Sequence, residues 1–378
     1  MDFNLSEERQ MMKDTAERFI RDQYPIEQRH EASKSELGFS RAMWREFADL
    51  GLIGALIPPA VDGFGGTGED IALVFEALGR GLVVEPFLAT GILGASSLID
   101  IGDKATLGAV IAGECLLALA HGEPGGRYEL SHVKTEAAQS DAGWKITGLK
   151  SVVANGCRAD SLIVSARIAG EVDAEEGLAL FRVDPRQPGV ARRTYGTIDG
   201  GSAAEITLDG AVGEPIGVPG EAYAMIERAI GRGVLAVSAE ALGAMEVAKD
   251  LTLEYLKTRV QFGKPIGANQ VLQHRMVDML IEIEQVRSCL MLAASTLDLK
   301  GGEADRATRE RNLSAVKHLV GRVGRLVAEE TIQMHGGVAM TWEMALPHYA
   351  KRIVMIDHQF GDTDHHLERF IRFSREVA

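Results

Sequence analysis

The sequence has few cysteines and no long apolar segment. Its three cysteines, Cys115, Cys157 and Cys289, form no CxxC pair and show no regular spacing. This usage indicates a reducing compartment and argues against both a disulfide-linked scaffold and a cysteine-rich zinc site. No stretch of about 18 apolar residues is present, so we expect no membrane-spanning helix. The first ten residues, MDFNLSEERQ, are charged and lack the apolar core of a signal peptide, which predicts a cytoplasmic protein.

Basic residues are also fewer than acidic residues. Forty lysines and arginines stand against 54 aspartates and glutamates, which gives a formal net charge of -14. Binding to nucleic acid needs a basic face, so this balance argues against a nucleic-acid partner. A small anionic ligand is compatible with it, because helix N-termini and single arginines can hold one. The 378 residues are enough for two or three domains with well-filled cores.

Three zones of the chain differ in periodicity. Residues 1–117 have the pattern of helices joined by short loops, and the first helix opens at Ser6, which two acids follow, as at a helix N-cap. Residues 118–215 are short apolar or alternating runs bounded by Gly, Asp and Pro, typical of a small β-barrel or sandwich. Residues 216–378 form long amphipathic runs with faces rich in small residues, typical of a helical bundle that packs on partner subunits. We therefore predict an α+β chain of three domains with these boundaries.

Two stretches carry residues suited to a ligand. In RVQFGKPIGANQ, residues 259–270, Arg259 offers a charge for phosphate and Phe262 an aromatic face for a ring. The alternative is an ordinary helix C-terminus with a basic last turn and Gly263 directly after the helix. In QMHGGVAM, residues 333–340, paired glycines either end a helix or let the backbone approach a ligand closely. Neither stretch decides between these alternatives alone.

Together, and in this order, the two stretches resemble motifs of the acyl-CoA dehydrogenase family over essentially the whole chain. The RxxFGxxI…Q motif of that family holds the adenosine diphosphate of FAD across a dimer interface, and its QxxGGxG motif reaches the same cofactor from the second subunit. The matching residues here are Arg259, Phe262, Gln270, Gln333, Gly336 and Gly337. Two further family loops appear as IPPAVDGFGGTG and, in part, as GEPGG.

The resemblance implies both a fold and a reaction. The fold would be an N-terminal helical domain, a central β-barrel and a C-terminal four-helix bundle that forms a tetramer core. The reaction would be FAD-dependent α,β-dehydrogenation of an acyl-CoA thioester to the 2,3-enoyl product, with electrons passed to an electron-transfer flavoprotein. Such chemistry needs a carboxylate near Cα whose pKa is raised by burial, and FAD near Cβ.

The usual base of the family is missing. The glutamate of its YEGT motif falls on Gly361 in FGDT, and the alternative glutamate position on a long helix falls on Gly233. Two acids are candidates instead. Glu240 lies about two helical turns after Gly233, as the one acid in VLAVSAEALGAM, and Asp362 is next to the usual position with a shorter side chain. A third possibility is that this chain supplies no base.

The ending FGDTDHH raises further expectations. Thr363 matches a family threonine that touches the flavin, and Thr363 or Asp364 is expected to cap the last helix. No metal site is expected, because the adjacent His365 and His366 point about 100° apart on a helix. The ending resembles the small subunits of pimeloyl-CoA-type and steroid-side-chain acyl-CoA dehydrogenases, which join a homologous large subunit in an α2β2 heterotetramer. A homotetramer is the other option.

The expected contacts to the flavin ring are altered. The TEPGAGSD loop of the family becomes GEPGGRYE and loses a threonine, and its WITN stretch becomes VVAN, residues 152–155, without the tryptophan and threonine. A heterotetramer in which each flavin site draws on both chains would permit such losses. The alternative function is therefore a non-catalytic small subunit that completes the FAD site of a catalytic partner.

Overall fold

The computed structural model of the protein describes residues 5–141, 143–299 and 301–377. By its internal contacts the chain divides into two compact units, neither of which is one stretch of sequence. The first unit comprises the chain up to Arg29, Thr67–Val83 and the chain from Val234 onwards. The second comprises His30–Gly66 and Val84–Gly233. The three sequence-based domain boundaries stay a prediction.

Helices occupy both ends of the chain. They are α1 (Glu7–Gln23), α2 (Ile26–Lys34), α3 (Arg41–Asp49), α4 (Gly68–Gly81), α5 (Ala95–Ile101), α6 (Lys104–Ile111), α7 (Tyr223–Thr258), α8 (Gln270–Thr296), α9 (Glu303–His335), α10 (Leu346–Asp357) and α11 (Thr363–Val377). A π-helical segment, Phe87–Gly94, precedes α5. Ser6 caps α1, since its Oγ accepts the Arg9 N–H, and this confirms the predicted start of that helix. Among the helices of the described residues, none is long and apolar enough to cross a membrane.

Strands occupy the middle of the chain. They are β1 (Leu117–Ala120), β2 (Glu136–Ser140), β3 (Gly143–Ala154), β4 (Ser161–Arg167), β5 (Leu178–Val183), β6 (Val190–Gly196) and β7 (Ser202–Gly220). A short hairpin, β8 (Val260–Gln261) and β9 (Lys264–Pro265), follows α7. The order of helices, strands and helices confirms the arrangement that the sequence predicts.

The sheet of the second unit closes a circuit of pairings. β3 runs antiparallel to β7 and to β2, and β5 runs antiparallel to β4 and to β7. A parallel bridge between Glu136 and Arg167 joins β2 to β4, so the circuit runs β4–β2–β3–β7–β5 and back to β4. Burial alternates along much of β7, whereas β4 and β5 are buried almost throughout. Members of the hydrophobic core include Ile146, Leu162, Phe181, Ile206 and Leu208.

In the first unit, α4 and α7 touch through their backbones. A Cβ atom at Gly79 would lie 2.0 Å from the carbonyl oxygen of Glu240, and one at Gly243 would lie 2.0 Å from that of Glu76. Both positions therefore require glycine, and the contact fixes the part of α7 that carries Glu240. Arg287 of α8 adds an ion pair to Glu76 at 3.0 Å. On the other side of this unit, α9 packs against α8, α10 and α11.

Candidate functional site

The stretch after α7 forms a hairpin rather than a simple helix end. β8 and β9 pair antiparallel, with Val260 opposite Pro265. The two residues between the strands have positive φ, +52° for Phe262 and +79° for Gly263. A two-residue type I′ turn requires this conformation. Gly263 is therefore a turn residue, and the alternative interpretation, which places it directly after the helix, is wrong.

Phe262 is held away from the protein. Its side chain is fully exposed, with a relative accessibility of 101%. Aromatic residues with positive φ are uncommon, and such conformations persist where the surroundings or the function impose them. Because the ring is not buried anywhere in the described chain, it is available to a ligand or to another chain.

Arg259 stands at the base of the same hairpin. Its backbone N–H donates to the carbonyl of Tyr255 at 2.8 Å, which continues the helical hydrogen bonding of α7 by one residue. The side chain is exposed, and the guanidinium has no hydrogen-bond or ion-pair partner within the part of the chain that the structure describes. A guanidinium matches phosphate oxygens through two parallel N–H groups. An anion can therefore reach Arg259 without displacing a protein partner.

The paired glycines lie at the same end of the first unit. The ring of Tyr255 stacks on that of His335, the last residue of α9, with centroids 4.4 Å apart. The end of α7 and the end of α9 therefore meet, and Gly336 and Gly337 follow at once. Gly336 ends α9 with φ of +69°, a conformation that favours glycine. A Cβ atom at either glycine would meet nothing within 4 Å, so close packing inside the chain does not account for Gly337. They leave backbone open to a ligand or to a second chain.

This set fits one half of FAD. The unpaired guanidinium and the bare backbone suit a diphosphate. The exposed aromatic ring suits a planar adenine. Gln270, the first residue of α8, and Gln333, near the end of α9, add exposed amides. Adenosine diphosphate is therefore the part of the cofactor that these side chains could bind. The individual assignments stay predictions.

The usual base position cannot carry a side chain here. Gly361 has φ of +119°, which side chains rarely permit. A Cβ atom on it would lie 2.5 Å from Cδ2 of His365 and 2.7 Å from Nε2 of His366. The two imidazoles thus fill the space where a glutamate would begin. The glycine is imposed by the local packing as well as by the backbone.

Asp362 and Thr363 both make local hydrogen bonds. Asp362 Oδ1 accepts the backbone N–H of His365 at 2.9 Å, which makes Asp362 the N-cap of α11. The expected cap, Thr363 or Asp364, is therefore wrong by one residue or more. Thr363 Oγ1 donates to Asp357 Oδ1 at 2.9 Å and keeps its lone pairs as acceptors. Its expected contact with the flavin stays a prediction, as does Asp362 as a base.

Glu240 forms a buried ion pair. Its two carboxylate oxygens accept from Nε and Nη2 of Arg352 in α10, at 2.5 Å and 2.7 Å. Both side chains are largely buried, with 8% of Glu240 and 14% of Arg352 accessible. A carboxylate held by both oxygens in this way has a fixed orientation. Proton abstraction would require it to leave Arg352, which weighs against the base assignment, although that assignment stays a prediction.

The predicted residues of the first unit do not form one cluster within a single chain. Thr363 lies beside Gly321, since a Cβ atom there would approach the Thr363 hydroxyl at 2.2 Å. Gly336 is 15 residues further along α9, a separation of about 22 Å at 1.5 Å per residue. Arg259, Phe262 and the paired glycines thus lie at one end of α9, whereas Thr363 and Asp362 lie near its middle.

In the second unit, a buried lysine organises the start of the GEPGG loop. Lys150 is fully buried, and its Nζ donates to Glu123 Oε1 at 2.7 Å, to Ser165 Oγ at 3.0 Å and to the carbonyl of His121 at 3.2 Å. Burial lowers the pKa of Lys150 to about 8, against the opposing attraction of Glu123. Burial also disfavours the Glu123 carboxylate. The charge of Lys150 and the N–H groups that donate to Glu123 outweigh this effect and lower the pKa of Glu123. The loop begins at an ionised, buried pair.

The VVAN stretch contains a backbone outlier. Val152 has φ of +53° at a bulge in the β3–β7 pairing and is 66% exposed. A β-branched residue with positive φ is rare. Its N–H donates to Glu205 Oε1 at 3.3 Å, and the Tyr195 hydroxyl donates to the same oxygen at 2.8 Å. Val152 is the residue that the resemblance matches to the family tryptophan, and that match stays a prediction.

Two buried lysines were not identified from the sequence. Lys150 and Lys317 are both fully buried, yet lysines are usually exposed. The available signal was position, since each is the one charged residue in an apolar stretch, GLKSVVAN and LSAVKHLVG respectively. That signal shows that a partner is needed but not which one.

Models of one protein family match all three parts of the chain. The family model of the acyl-CoA dehydrogenase N-terminal domain matches residues 6–108, that of the middle domain residues 118–211 and that of the C-terminal domain residues 222–373. The chain is 29% identical to the acyl-CoA dehydrogenase IpdE2 of Mycolicibacterium smegmatis, over 92% of this chain and 93% of that protein.

Two solved structures are similar in both sequence and fold. A variant of the Tcur3481-Tcur3483 steroid ACAD shares 26% identity with a TM-score of 0.86, over 98% of each chain. The ChsE4-ChsE5 complex from Mycobacterium tuberculosis shares 25% identity with a TM-score of 0.87, over 100% of each chain. The helical N-terminal and C-terminal domains and the sheet domain between them are those of this fold. The chain belongs to the acyl-CoA dehydrogenase family of FAD-dependent oxidoreductases.

Proposed function

We propose that the chain is one subunit of an enzyme that converts an acyl-CoA thioester to the 2,3-enoyl-CoA and passes the electrons to an electron-transfer flavoprotein. Membership of the family supports the reaction class. When bound, FAD would accept the hydrogen removed from Cβ. The chain itself would hold the adenosine diphosphate through Arg259, Phe262, Gln270, Gln333, Gly336 and Gly337.

The observation that carries the proposal is the open hairpin beside the paired glycines. Phe262 is fully exposed and Arg259 has no partner among the described residues, so neither side chain stabilises the single chain. A cofactor bound at an interface would contact both. We therefore propose an oligomer, either a homotetramer or an α2β2 heterotetramer with a homologous large subunit. The names of both similar structures combine two different proteins, which supports the heterotetramer.

We further propose the finer architecture and domain boundaries of the family. The closed circuit of strand pairings supports a β-barrel for residues 118–215. The packing of α9 against α8, α10 and α11, together with the long α7, supports a four-helix bundle for residues 216–378 as the oligomer core. Residues 1–117 would form the N-terminal helical domain.

Among the residues of this chain, Glu240 is the first candidate for the base and Asp362 the second. One observation favours the alternative, a subunit without a base that completes the FAD site of a catalytic partner. Gly361, the usual position, has no room for a side chain, and both remaining acids are engaged in local contacts. A glutamate would then come from the partner.

The test is the response of the flavin to acyl-CoA esters without oxygen. The purified enzyme, alone and co-expressed with a homologous large subunit, would be titrated with short, long, dicarboxylic and steroid-side-chain CoA thioesters. We expect the flavin absorbance to bleach with one class of thioester and to recover when electron-transfer flavoprotein is added. A flavin that no thioester bleaches in either preparation would overturn the proposed reaction. Bleaching only in the co-expressed preparation would support the alternative without a base in this chain.

A further inference from the structure

The turn between α10 and α11 is unusual in its backbone. Residues 358–362 connect the two helices, and Phe360 and Gly361 have φ of +60° and +119° in succession. A bulky aromatic residue with positive φ is disfavoured by its own sterics. Such a conformation persists only when the surroundings determine it. Side chains around the turn stabilise this conformation through hydrogen bonds.

Lys317 of α9 joins the two ends of the turn. It is fully buried, and its Nζ donates to the carbonyl of Asp357 at 2.9 Å and to that of Gly361 at 2.7 Å. Burial lowers the pKa of Lys317 to about 8, with the nearby Asp357 and Asp362 opposing this shift. A neutral amine keeps two N–H donors, so both hydrogen bonds survive loss of the proton.

Two histidines hold the remaining carbonyls. His366 Nε2 lies 3.0 Å from the carbonyl oxygen of Phe360, and His318 Nδ1 lies 3.0 Å from that of Thr363. Burial, reinforced by the charge of Lys317, lowers the pKa of His366 to about 2, so the ring is neutral. Its single proton belongs on Nε2, which faces a carbonyl, and this leaves Nδ1 as a buried acceptor without a partner among the described residues.

Four carbonyl groups within seven residues therefore receive side-chain donors, and three side chains from two helices supply them. Apolar packing alone would not select this conformation, because it has no directional preference. Hydrogen bonds do select it. The turn leads into Thr363, the first residue of α11, which matches the flavin-contacting threonine of the family.

On the basis of the proposed function, we propose that Lys317 and His366 are positioning residues of the flavin site. They hold the turn from Asp357 to Thr363 in the conformation that places the Thr363 hydroxyl and backbone beside the flavin ring. This explains why two histidines and a buried lysine accompany a sequence from which the usual base is absent. In this role His366 shapes the turn through its hydrogen bond to the Phe360 carbonyl.

The test compares Lys317→Met with a matched control on the same helix. Methionine keeps the length of the lysine stem and removes both donors. Asn312→Ala removes a buried hydrogen bond between α9 and Thr296 of α8, five residues away and without contact to the turn. For each assembled protein we would measure the dissociation constant for FAD by flavin fluorescence, the hydrogen exchange of the turn amides without FAD, and the thermal midpoint.

We expect Lys317→Met to weaken FAD binding about tenfold or more and to speed amide exchange in the turn. Asn312→Ala should lower the thermal midpoint while leaving FAD affinity and turn exchange as in the wild type. His366→Leu is the second variant, with the same expected direction, for the case that Lys317→Met does not assemble.

FAD affinity that is unchanged in both Lys317→Met and His366→Leu would overturn the proposal, whether or not turn exchange changes. So would a loss of affinity that Asn312→Ala shares in proportion to its thermal midpoint, because the role would then be general stability. Wild-type protein that binds no FAD in any assembly would overturn the proposed function, and this inference with it. The FAD affinity of the wild type separates the two failures, because the inference alone fails when the wild type binds FAD and the variants bind it equally well.

Discussion

Replacing Arg352 by methionine is expected to lower the free energy of unfolding by about 3–5 kcal/mol. The change leaves the Glu240 carboxylate buried without the guanidinium that accompanies both of its oxygens. The double variant Arg352→Met/Glu240→Met should recover most of that loss, since an apolar pair of similar volume replaces a buried ion pair at little cost. Urea unfolding followed by circular dichroism measures both.

Arg325→Met is the matched control for this prediction. Arg325 forms an ion pair with Glu329 on the surface of α9, and 80% of its side chain is accessible. Because solvent screens this exposed pair, its loss should leave the urea midpoint close to that of the wild type. If Arg352→Met proved as stable as this control, or if the double variant were no more stable than the single one, the buried pair would not have the structural role assigned to it.

The same pair bears on the identity of the base. Where the base comes from the partner subunit, which the Glu240–Arg352 pair favours, Glu240→Gln should lower stability but leave the rate of flavin bleaching per bound flavin close to that of the wild type. A fall of about 10²-fold or more in that rate, with substrate affinity retained, would instead identify Glu240 as the base. The stability of the variant and its rate are separate readouts, so a folding defect cannot imitate a chemical one.

Replacing Lys150 by methionine is the second large effect, again about 3–5 kcal/mol of unfolding free energy. Glu123 would remain buried, and among the described residues its remaining hydrogen bonds would come from the backbone N–H groups of Lys134 and Thr135. The double variant Lys150→Met/Glu123→Gln removes that charge and should regain part of the stability. Glu123 is the second residue of the GEPGG loop, so the single variant should also expose this loop to protease.

Lys145→Met serves as the control, because Lys145 lies on the same strand but is exposed. Its effect should stay within about 0.5 kcal/mol. Denaturant unfolding and limited proteolysis would be run on all three variants and the wild type. Equal stability of Lys150→Met and Lys145→Met would show that the buried lysine contributes nothing that methionine cannot replace.

The fold was accessible from the sequence where the determining interactions are local. The capping side chain of Ser6, the long periodic runs and the change to alternating strands all depend on neighbours a few residues apart. Motif order then led to Arg259, Phe262 and the paired glycines, which the structure brings to one end of the first unit through the Tyr255–His335 stack.

What the sequence did not show depends on distant partners. Glu240 looked like a lone acid because its partner, Arg352, lies 112 residues away. Lys317 meets its carbonyl acceptors 40 and 44 residues later, and they belong to the backbone, which no residue pattern can report. The hairpin at Phe262 and Gly263 was missed because a helix end and a two-residue turn both use glycine there.

The central claim is that this chain holds FAD at an interface, and the direct measurement is the flavin absorbance and molar mass of the same eluting species. Size-exclusion chromatography with light scattering would be run on the chain alone, on the chain co-expressed with a homologous large subunit, and on the Arg259→Gln variant of each. We predict flavin absorbance in the oligomeric peak and none in a monomer, with occupancy reduced in the variant. A monomer that carries a full complement of FAD, or oligomers without flavin in both preparations, would contradict the account.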